Sequence, residues 1–449
     1  MPKLFGTDGV RGLANAELTP ELALALGRAL VGVLEHEQPD PPLVVVGRDP
    51  RASGALLESA LAAGIMSAGG EALLAGVLPT PAIAFLTRHY RAAAGAMISA
   101  SHNAMPDNGI KFFGPEGFKL PDALEERVEA ALSAPDQGAP RPVGSGVGGV
   151  RQAADAGEAY LAHLLAGTGQ DLGGLEVVVD CANGAAATVA PEAYRRAGAR
   201  VTTIGAEPDG RNINHGCGST HPEHVREAVM RAGAAVGLAH DGDADRLIAV
   251  DERGELIDGD VILAIAALDE RERGGLPTGT VVTTVMTNLG FRRAMAERGI
   301  EVVQTAVGDR YVLETMRAGG HTLGGEQSGH IIFLDRATTG DGVLTGLRLL
   351  EIVARAKLPL SELAQVMRRM PQVLVNVRVR ARDRLGAAEV VWRAVEEEEA
   401  RLGDRGRVLV RASGTEPLVR VMVEAETAEE ATATADRLAR VVGAELGAG

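Results

Sequence analysis

Met97-Ile98-Ser99-Ala100-Ser101-His102-Asn103 begins the stretch that decides the fold, and Ala104-Met105-Pro106-Asp107-Asn108-Gly109-Ile110-Lys111-Phe112-Phe113 completes it. An apolar run stops at small hydroxyl residues, a turn rich in Pro, Asp, Asn and Gly follows, and a second apolar run begins. This pattern predicts strand, loop and strand, with Ser101 presented at the loop. A hydroxyl held beside polar partners suits covalent group transfer, although a serine in an ordinary hairpin turn has the same local pattern.

The chain repeats one order of elements three times. Each copy reads as strand, helix and strand, and a second strand-loop-strand follows it. The first strands of the copies are the apolar runs 43–46, 175–180 and 281–285, and the later polar loops are 101–103, 240–246 and 324–330. Three βαβ units of one design indicate three related α/β domains or one large doubly wound array. The polar loops fall at corresponding places, so we expect them to converge on one cleft.

The C-terminal part has a different order, with strands predicted at 374–379 and 408–410 and acidic helices between and after them. We interpret it as a smaller α+β domain. The predicted fold class is therefore α/β, with three related βαβ-based domains and a smaller C-terminal α+β domain. The predicted domains are 1–148 with the Ser101 loop, 149–252 with a metal-binding loop, 253–366 with a sugar-binding loop, and 367–449 with a phosphate-binding loop.

Composition excludes several classes of function. The formal charge of -15 comes from 45 basic and 60 acidic residues, which argues against a nucleic-acid or anionic-membrane partner. We expect no N-terminal signal segment, and no apolar run in the sequence is long enough to span a bilayer. Cys181 and Cys217 are the only cysteines, so a reducing cytoplasm is the expected location. The oligomeric state stays open, with a homodimer as one option.

Lysine is rare in this arginine-rich chain: Lys3, Lys111, Lys119 and Lys357 are the only lysines. Because guanidinium does not lose its proton, a lysine kept in such a chain can mark a place that needs a titratable amine. Lys111 lies ten residues after Ser101 and is the candidate for that role. A solvated lysine at a strand end is the alternative reading.

Asp241, Asp243 and Asp245 alternate along the second polar loop. In an extended loop their carboxylates point the same way, and three like charges need a cation. Oxygen ligands favour Mg²⁺ or Ca²⁺, although a solvated acidic turn is the alternative. An EF-hand does not fit, because Arg246 stands where the sharp turn needs glycine and strands flank the loop.

A zinc site is a further alternative on the second copy. Its candidate ligands, Cys217, His221 and His224, are closely spaced but lack a fourth ligand nearby.

Two further loops carry groups that bind phosphate or sugar. The loop 411–420 combines hydroxyls, a glycine for close backbone approach and two flanking guanidiniums, which predicts a phosphate cradle or else an ordinary hairpin with surface arginines. The loop 325–330 offers a carboxylate, an amide and a hydroxyl to sugar groups. The candidate residues on these loops are Arg411, Ser413, Gly414, Thr415, Arg420, Glu326, Ser328 and His330. Arg11, in the glycine-rich N-terminal loop 5–12, could also contact a phosphate.

These motifs jointly resemble the α-D-phosphohexomutase superfamily. The segments that carry the resemblance are 99–103, 241–246, 325–330 and 411–417. The resemblance runs from Phe5 to beyond Arg420, so it covers nearly the whole chain. Segments 5–12, 217–220 and 307–310, together with Gln327, resemble the bacterial branch that acts on glucosamine phosphate. One departure is Ala104-Met105, since family members usually place proline directly after the residue that corresponds to Asn103.

The resemblance implies four domains around a central cleft and an isomerase that interconverts glucosamine 6-phosphate and glucosamine 1-phosphate. It implies a phosphoryl group on Ser101 and one Mg²⁺ per active site, held by Ser101, Asp241, Asp243 and Asp245. Glucosamine 1,6-bisphosphate would be intermediate and activator, and the product would feed the synthesis of UDP-N-acetylglucosamine and the cell wall. A phosphomannomutase or phosphoglucomutase is the alternative enzyme, and a non-catalytic sugar-phosphate-binding protein is the alternative from another class.

The resemblance also implies roles for the remaining residues. Glu326 and Ser328 would read the sugar, and Ser413, Gly414, Thr415 and Arg420 would hold the phosphate that does not react. Proton transfer or charge stabilisation would fall to a set from which the general base is not singled out, namely Lys111, Arg11, His330 and Arg246. Arg310 and Arg411 are assigned to substrate binding.

Overall fold

The computed structural model describes residues 4–6, 8–35, 41–133, 141–169, 171–413 and 417–447. The chain forms two compact units. The first comprises Met1–Met286 and Glu301–Val366, and the second comprises Thr287–Ile300 and Met367–Gly449. The described residues contain four separate sheets, three in the first unit and one in the second.

The first sheet has six strands in the order β1-β5-β4-β2-β3-β6. Its centre is parallel, whereas β5 runs antiparallel to both β4 and β1. Its strands are β1 Val10–Leu13, β2 Leu43–Arg48, β3 Glu71–Val77, β4 Ala94–Ile98, β5 Asp107–Phe113 and β6 Val150–Gln152. The helices of this part of the chain are α1 Pro20–Glu35, α2 Gly54–Ser67, α3 Thr80–His89 and α4 Asp122–Ser133.

Helices α1 and α2 pack closely because each presents a glycine to the other. A Cβ on Gly64 would lie 2.1 Å from the Leu24 carbonyl oxygen, and one on Gly27 would lie 2.4 Å from that of Leu61. The apolar stripe of α1 faces the core, where Leu26 and Leu30 are fully buried. This pair of helices therefore seals one side of the sheet that carries Ser101.

The second and third sheets repeat the design with fewer strands. Their strand orders are β11-β10-β9-β7-β8 and β13-β12-β14-β15, each with a parallel centre and an antiparallel hairpin at one side. The strands are β7 Glu176–Asp180, β8 Arg200–Ile204, β9 Val236–His240, β10 Leu247–Asp251, β11 Leu256–Ile257, β12 Thr280–Thr284, β13 Glu301–Thr305, β14 Leu323–Gly325 and β15 Ile331–Phe333. The helices are α5 Ala156–Leu165, α6 Ala186–Arg196, α7 Glu223–Ala232, α8 Gly259–Glu272, α9 Leu289–Glu297, α10 Asp309–Gly319, α11 Gly342–Ala356 and α12 Leu360–Leu363.

The second unit is built on an antiparallel sheet in the order β16-β18-β17. Its strands and remaining helices are β16 Gln372–Arg378, β17 Arg407–Ala412, β18 Leu418–Glu424, α13 Glu389–Leu402 and α14 Ala428–Leu446. Helix α9 belongs to this unit too. The buried Glu424 carboxylate accepts hydrogen bonds from Leu289 N (2.9 Å) and Asn288 Nδ2 (3.1 Å), and it pairs with Arg407 Nε at 2.6 Å.

The predicted fold class is confirmed: three sheets of mixed α/β type precede a smaller α+β region. The domain boundaries stay a prediction. Strand β6, just after the first predicted boundary, pairs with the first sheet, and β11, just after the second, pairs with the second sheet. Four short 3₁₀ turns connect elements at Gly144–Gly146, Ala364–Val366, Arg382–Ala387 and Gly403–Arg405. Among the described residues, no helix has both the length and the apolar composition needed to cross a membrane.

Three polar loops occupy the same topological position in the first three sheets. Each follows the carboxyl end of a strand that is parallel to the first strand of its copy, and each leads into an antiparallel strand. These are the loop after β4, which carries Ser101, the loop after β9, which carries the aspartates, and the loop after β14, which carries Glu326. Loops at the carboxyl ends of sheet strands are where α/β proteins bind ligands.

Candidate active site

Ser101 follows β4 in a conformation that non-glycine residues rarely adopt, with φ of 51°. Its side chain is buried (1% exposed), and its Oγ donates to Asp241 Oδ2 over 2.6 Å. The Oγ also lies 3.3 Å from Nδ1 of His102. Burial lowers the pKa of His102 to about 4, helped by Arg246 and Arg11, so this imidazole is neutral. The turn after Asn103 closes through a hydrogen bond from Asp107 N to the Ala104 carbonyl, despite the absence of the usual proline.

The three alternating aspartates form one buried cluster. Each offers a carboxylate oxygen within 4.8 Å of the others, and Oδ1 of Asp243 and Oδ1 of Asp245 are buried without a hydrogen-bond partner. Burial raises the pKa of Asp241 well above its usual value, and the charges of Asp245 and Asp243 raise it further. Orphaned oxygens and mutual repulsion in an all-oxygen donor set are what a divalent cation would relieve, so the residues fit Mg²⁺.

This trio is the one group of three or more metal-binding side chains that could share an ion in the described ranges. Cys217, His221 and His224, the ligands of the zinc alternative, do not form such a group among the described residues. Cys217 Sγ accepts a weak hydrogen bond from Asn183 instead, and His224 Nδ1 lies 2.9 Å from the buried carboxylate of Asp180.

Lys111 is a permanent cation in this site. Its Nζ lies 3.0 Å from Asp243 Oδ2 and 4.0 Å from Asp245 Oδ2. Burial lowers the pKa of Lys111, but Asp243, Asp245 and Asp8 outweigh burial and raise it above the ordinary value. Burial also raises the pKa of Asp243, yet Lys111 and Thr80 outweigh that effect and lower it overall. The geometry therefore favours charge stabilisation over a titratable amine at Lys111.

Two predicted arginines surround the trio. The backbone N–H of Arg246 donates to Asp241 Oδ1 (3.3 Å), and its Nε lies 3.7 Å from Asp245 Oδ1. Arg11, at the start of the first sheet, pairs with Asp8 at 3.2 Å and keeps a quarter of its side chain exposed. Neither guanidinium Nε has a hydrogen-bond partner in the described structure although both atoms are buried, so both could serve an anionic ligand.

His330 connects the aspartate loop to the third sheet. Its Nδ1 lies 3.6 Å from Asp245 Oδ2, and its Nε2 accepts a hydrogen bond from Gly340 N over 3.0 Å. Burial lowers its pKa, but Asp245, Asp309 and Glu326 raise it to about 9. The raised pKa favours a protonated ring, whereas the hydrogen bond from Gly340 N requires an unprotonated Nε2. A cation among the aspartates would offset the carboxylate charge, so we assign the neutral ring with its proton on Nδ1 to the metal-loaded protein.

The sugar loop places Glu326 close to the charges of His330 and Arg246. Glu326 Oε1 accepts from Gly308 N at 3.2 Å, and burial raises the pKa of this carboxyl. Ser328 Oγ is buried without a partner among the described atoms. Arg310 is engaged elsewhere: it contacts Asp122 and Glu125 of α4 and donates to the Leu120 carbonyl. Its role in substrate binding stays a prediction.

The predicted phosphate loop lies in the second compact unit. Arg411 and Arg420 stand opposite each other in register on β17 and β18. Burial and the neighbouring charge of Arg420 both lower the pKa of Arg411. Ser413 is buried and its N–H donates to the Leu418 carbonyl, whereas Gly414 and Thr415 lie outside the described residues. The two arginines therefore stand on the two strands that flank the predicted phosphate loop.

Several contacts at the site come from residues that sequence reasoning did not select. Thr80 Oγ1 donates to Asp243 Oδ2 over 2.5 Å. Lys119 Nζ bridges Asp8 (2.8 Å) and Asp309 (2.6 Å), which ties the N-terminal loop to the third sheet. A usable signal existed for both: Thr80 begins a helix directly after Pro79, and Lys119 is one of only four lysines.

Comparison with known proteins shows the family to which the chain belongs. Four domain families of phosphoglucomutase/phosphomannomutase match the chain in their usual order. They are α/β/α domain I at residues 2–139, α/β/α domain II at 158–254, α/β/α domain III at 258–370 and the C-terminal domain at 374–441. A solved phosphoglucomutase/phosphomannomutase family protein from Burkholderia thailandensis superposes with a TM-score of 0.82 at 25% identity, covering 99% of this chain and 97% of that one. The fold and site thus define an enzyme of the phosphohexomutase superfamily.

The branch within that superfamily follows from closer relatives. The phosphoglucosamine mutase of Symbiobacterium thermophilum is 55% identical over 99% of this chain and all of its own length. That of Streptomyces griseus is 58% identical, with both chains fully covered. The chain belongs to the phosphoglucosamine mutase family, and it is an isomerase of the phosphohexomutase type.

Proposed function

We propose that the protein interconverts glucosamine 6-phosphate and glucosamine 1-phosphate by way of a phosphoryl group carried on Ser101. One observation carries the proposal: the Ser101 hydroxyl lies 2.6 Å from a carboxylate of a buried aspartate trio that can hold a divalent cation. A serine oxygen, carboxylates and a nearby lysine are the groups that phosphoryl transfer needs. Family membership supports the choice of an amino sugar as substrate.

Mg²⁺ is the cation we assign to Asp241, Asp243 and Asp245, with an oxygen of phosphorylated Ser101 as a further ligand. When bound, Mg²⁺ supplies neutralising charge to the transferring phosphoryl group. Carboxylate oxygens suit Mg²⁺, and the two orphaned Oδ1 atoms give it ligands that no hydrogen bond occupies.

In the proposed reaction the phosphoryl group moves from Ser101 to the free hydroxyl of the sugar phosphate. The bond from phosphorus to Ser101 Oγ breaks and the bond from phosphorus to the sugar oxygen forms. The sugar hydroxyl gives its proton to the base, and one proton returns to the freed Ser101 oxygen, so no net proton is lost. The product, glucosamine 1,6-bisphosphate, then turns within the site and returns its other phosphoryl group to Ser101. The same bisphosphate taken up from solution would act as activator by phosphorylating the serine.

The structure supports a division of labour among the charged residues. Neighbouring carboxylates raise the pKa of Lys111 and of Arg246, so we assign these two cations, together with the guanidinium of Arg11, to stabilising charge on the phosphoryl oxygens. His330 is the member of the predicted proton-transfer set whose ring nitrogens can both accept and donate a proton, and we assign proton transfer to it. Its contact with Asp245 and the Gly340 N–H fixes the ring orientation.

We assign recognition of the sugar to Glu326 and Ser328. The phosphate that does not react goes to the arginine-flanked loop with Arg411, Ser413, Gly414, Thr415 and Arg420, and Arg310 is assigned to substrate as well. Arg411 and Arg420 support this because the two guanidinium groups stand on the two strands that flank the loop. The product would feed UDP-N-acetylglucosamine and cell-wall synthesis in the cytoplasm, where the two free thiols, Cys181 and Cys217, would stay reduced. A homodimer stays a prediction that sedimentation can test.

A substrate comparison tests the proposal. Purified protein, charged with glucosamine 1,6-bisphosphate and Mg²⁺, is assayed with glucosamine, mannose and glucose 6-phosphates at matched concentrations. We expect kcat/KM to favour glucosamine 6-phosphate by at least tenfold, about 1.4 kcal/mol of transition-state discrimination. A preference for either neutral sugar would assign the protein to the alternative mutases. Binding without turnover of any of the three would indicate a non-catalytic binding protein.

A further inference from the structure

Arg51 is a buried cation that contacts the backbone of the Ser101 loop, and the proposed mechanism does not use it. Only 1% of the residue is exposed. It lies in the polar loop after β2, and its Nε pairs with the buried carboxylate of Asp49 at 2.9 Å. Of the loop's carbonyl oxygens, Nη2 donates to those of Ser101 (2.9 Å) and Asn103 (2.8 Å), and Nη1 to those of Ala104 (2.5 Å) and Asp107 (3.1 Å).

These contacts use the whole donor capacity of the side chain. A guanidinium carries five N–H donors in a rigid fork, and Arg51 makes five hydrogen bonds, one to Asp49 and four to backbone carbonyls. A lysine in this place would keep the charge but has three donors on one atom. Arg51 is therefore a template for the backbone path of residues 101–107 as well as a charge.

The other end of the Ser101 peptide is held by the same carboxylate. Ser99 Oγ donates to Asp49 Oδ2 over 2.6 Å and accepts from Ser101 N over 2.9 Å. The N–H of Ser101 is thus fixed through Ser99, and its carbonyl is fixed by Arg51. Because Ser101 has a left-handed φ of 51°, contacts on both sides of the residue are what keep this unfavourable conformation.

Asn214 reaches the same loop from the segment that connects β8 and α7. Its Nδ2 donates to the carbonyls of Ser101 (2.9 Å) and Asn103 (3.0 Å), the two that Arg51 Nη2 also binds. The metal loop lies against this point, since a Cβ on Gly242 would stand 2.6 Å from the Ser101 carbonyl oxygen. Arg51 and Asn214, which come from loops of two different parts of the chain, therefore bind the same two carbonyl oxygens beside the aspartates.

We propose that Arg51 and Asn214 are positioning residues that clamp the backbone of residues 101–107 and so hold Ser101 Oγ in line with the aspartate trio. The catalytic consequence rests on the proposed function, since it assumes transfer through Ser101. The clamp touches no reacting atom. It acts by fixing the nucleophile, and misplacement of a reacting group by about 1 Å costs on the order of 100-fold in rate.

Two conservative variants test the clamp. Arg51→Lys keeps the charge and removes the fork, and Asn214→Asp keeps size and left-handed propensity while replacing the donor by an acceptor. Their matched controls are Arg348→Lys, at a buried arginine paired with Glu351, and Asn15→Asp, at an exposed left-handed turn residue. We measure amide hydrogen exchange of peptides covering 101–107, kcat and KM for glucosamine 6-phosphate, and the melting temperature.

We expect exchange in 101–107 to become at least tenfold faster in both clamp variants and to be unchanged in both controls. We expect kcat to fall about 100-fold in R51K and at least tenfold in N214D, with KM within threefold of the wild-type value. If R348K lowers the melting temperature as much as R51K but keeps its kcat, loss of stability alone does not explain the defect. Unchanged exchange in 101–107, or kcat losses no larger than in the controls, would overturn the clamp.

The exchange measurement also separates this proposal from the proposed function. It reports on the loop in a protein that need not turn over any sugar. A wild-type protein inactive on glucosamine 6-phosphate, but with loop exchange that responds to R51K and N214D, would contradict the function and leave the clamp in place.

Discussion

Thr80 Oγ1 donates to Asp243 Oδ2 over 2.5 Å, and the Thr80 backbone N–H donates to the Asp243 carbonyl over 2.9 Å. The first turn of α3 thus orients both the side chain and the backbone of a predicted metal ligand. The partner lies in another sheet, 163 residues further along the chain. This contact makes the aspartate trio dependent on the first sheet for its geometry.

Thr80→Val should weaken cation binding without altering the fold. Valine keeps the branched shape but removes the hydroxyl that orients Asp243, and loss of such a partner typically costs 10–100-fold in metal affinity or activity. Titration of activity with free Mg²⁺ should show a half-saturating concentration at least tenfold higher. Thr80→Ser keeps the hydroxyl and should stay within threefold of wild type. Equal Mg²⁺ dependence in both variants would count against the role of this contact.

Ser101→Ala should abolish phosphoryl transfer. The variant lacks the oxygen that carries the group, so we expect at least roughly a 1000-fold loss of mutase activity. Peptide mapping by mass spectrometry should find one phosphoryl group at residue 101 of the wild type and none in the variant. Ser59→Ala, at a hydroxyl that bonds only within α2 in the described structure, is the matched control and should keep full activity. Substantial turnover by S101A would exclude the covalent route.

Removal of the cation should silence the enzyme reversibly. We expect activity to vanish with a chelator and to return with Mg²⁺. Saturating Mg²⁺ should also stabilise the fold, by about 2.7 kcal/mol at 100 times its Kd. The rise in melting temperature on adding Mg²⁺ measures this stabilisation. Asp245→Asn removes one ligand charge and should abolish the rise, whereas Asp335→Asn, at an exposed carboxylate, should keep it. A rise of wild-type size in D245N would place the cation elsewhere.

Lys119→Met should destabilise the first unit. The change leaves Asp8 and Asp309 without the ammonium that lies within 2.8 Å of each. Breaking a buried pair by removing one partner costs roughly 3–5 kcal/mol, and we expect about 2–4 because Asp8 is partly exposed. Urea unfolding measures the loss, with Lys357→Met at an exposed lysine as control. Adding Asp309→Asn to K119M should recover part of the stability; a further loss would contradict this explanation.

Asp341 should make stability fall as pH rises. Burial raises the pKa of this carboxyl to about 6, against the hydrogen bonds from Leu344 N and Tyr160 OH. A raised carboxyl pKa means that the folded state binds the proton more tightly than the unfolded state. Its contribution is therefore fully present below about pH 4, is lost as pH rises to about 6, and amounts to at most about 3 kcal/mol.

Asp341→Asn removes that titration and keeps an acceptor for the Leu344 N–H at the start of α11. We expect D341N to be more stable than wild type at pH 7 by about 1–3 kcal/mol and to lose this advantage near pH 4. Urea unfolding at several pH values from 4 to 7 gives the difference directly. Parallel stability curves for the two proteins would show that Asp341 ionises normally in the fold.

The sequence predicted the strands and polar loops well because each is defined by its own neighbours. The run before Ser101 is apolar and the turn after it is rich in turn formers, so β4, the loop and β5 could be predicted locally. The alternation of Asp241, Asp243 and Asp245 likewise carried its own signal. The structure brings these loops to one place, as the repeat pattern predicted.

Partners distant in sequence could not be predicted in this way. Arg51, Thr80 and Asn214 contact the site loops across 50 or more residues, and nothing in the local pattern states which loop each will touch. Helices α8 and α11 were also not predicted. Residues 259–267 of α8 are all buried, so this helix lacks the one-sided apolar stripe that marks a helix at a surface.

Helix α9 has a practical consequence for anyone who divides the gene. Three chain crossings, at 286–287, 300–301 and 366–367, link the two compact units, so no single cut releases the C-terminal one. In a fragment that begins at 367, the buried Glu424 would keep its ion pair with Arg407 but lose the N–H donors of Asn288 and Leu289. Any independently folding version of that region needs residues 287–300 grafted onto it.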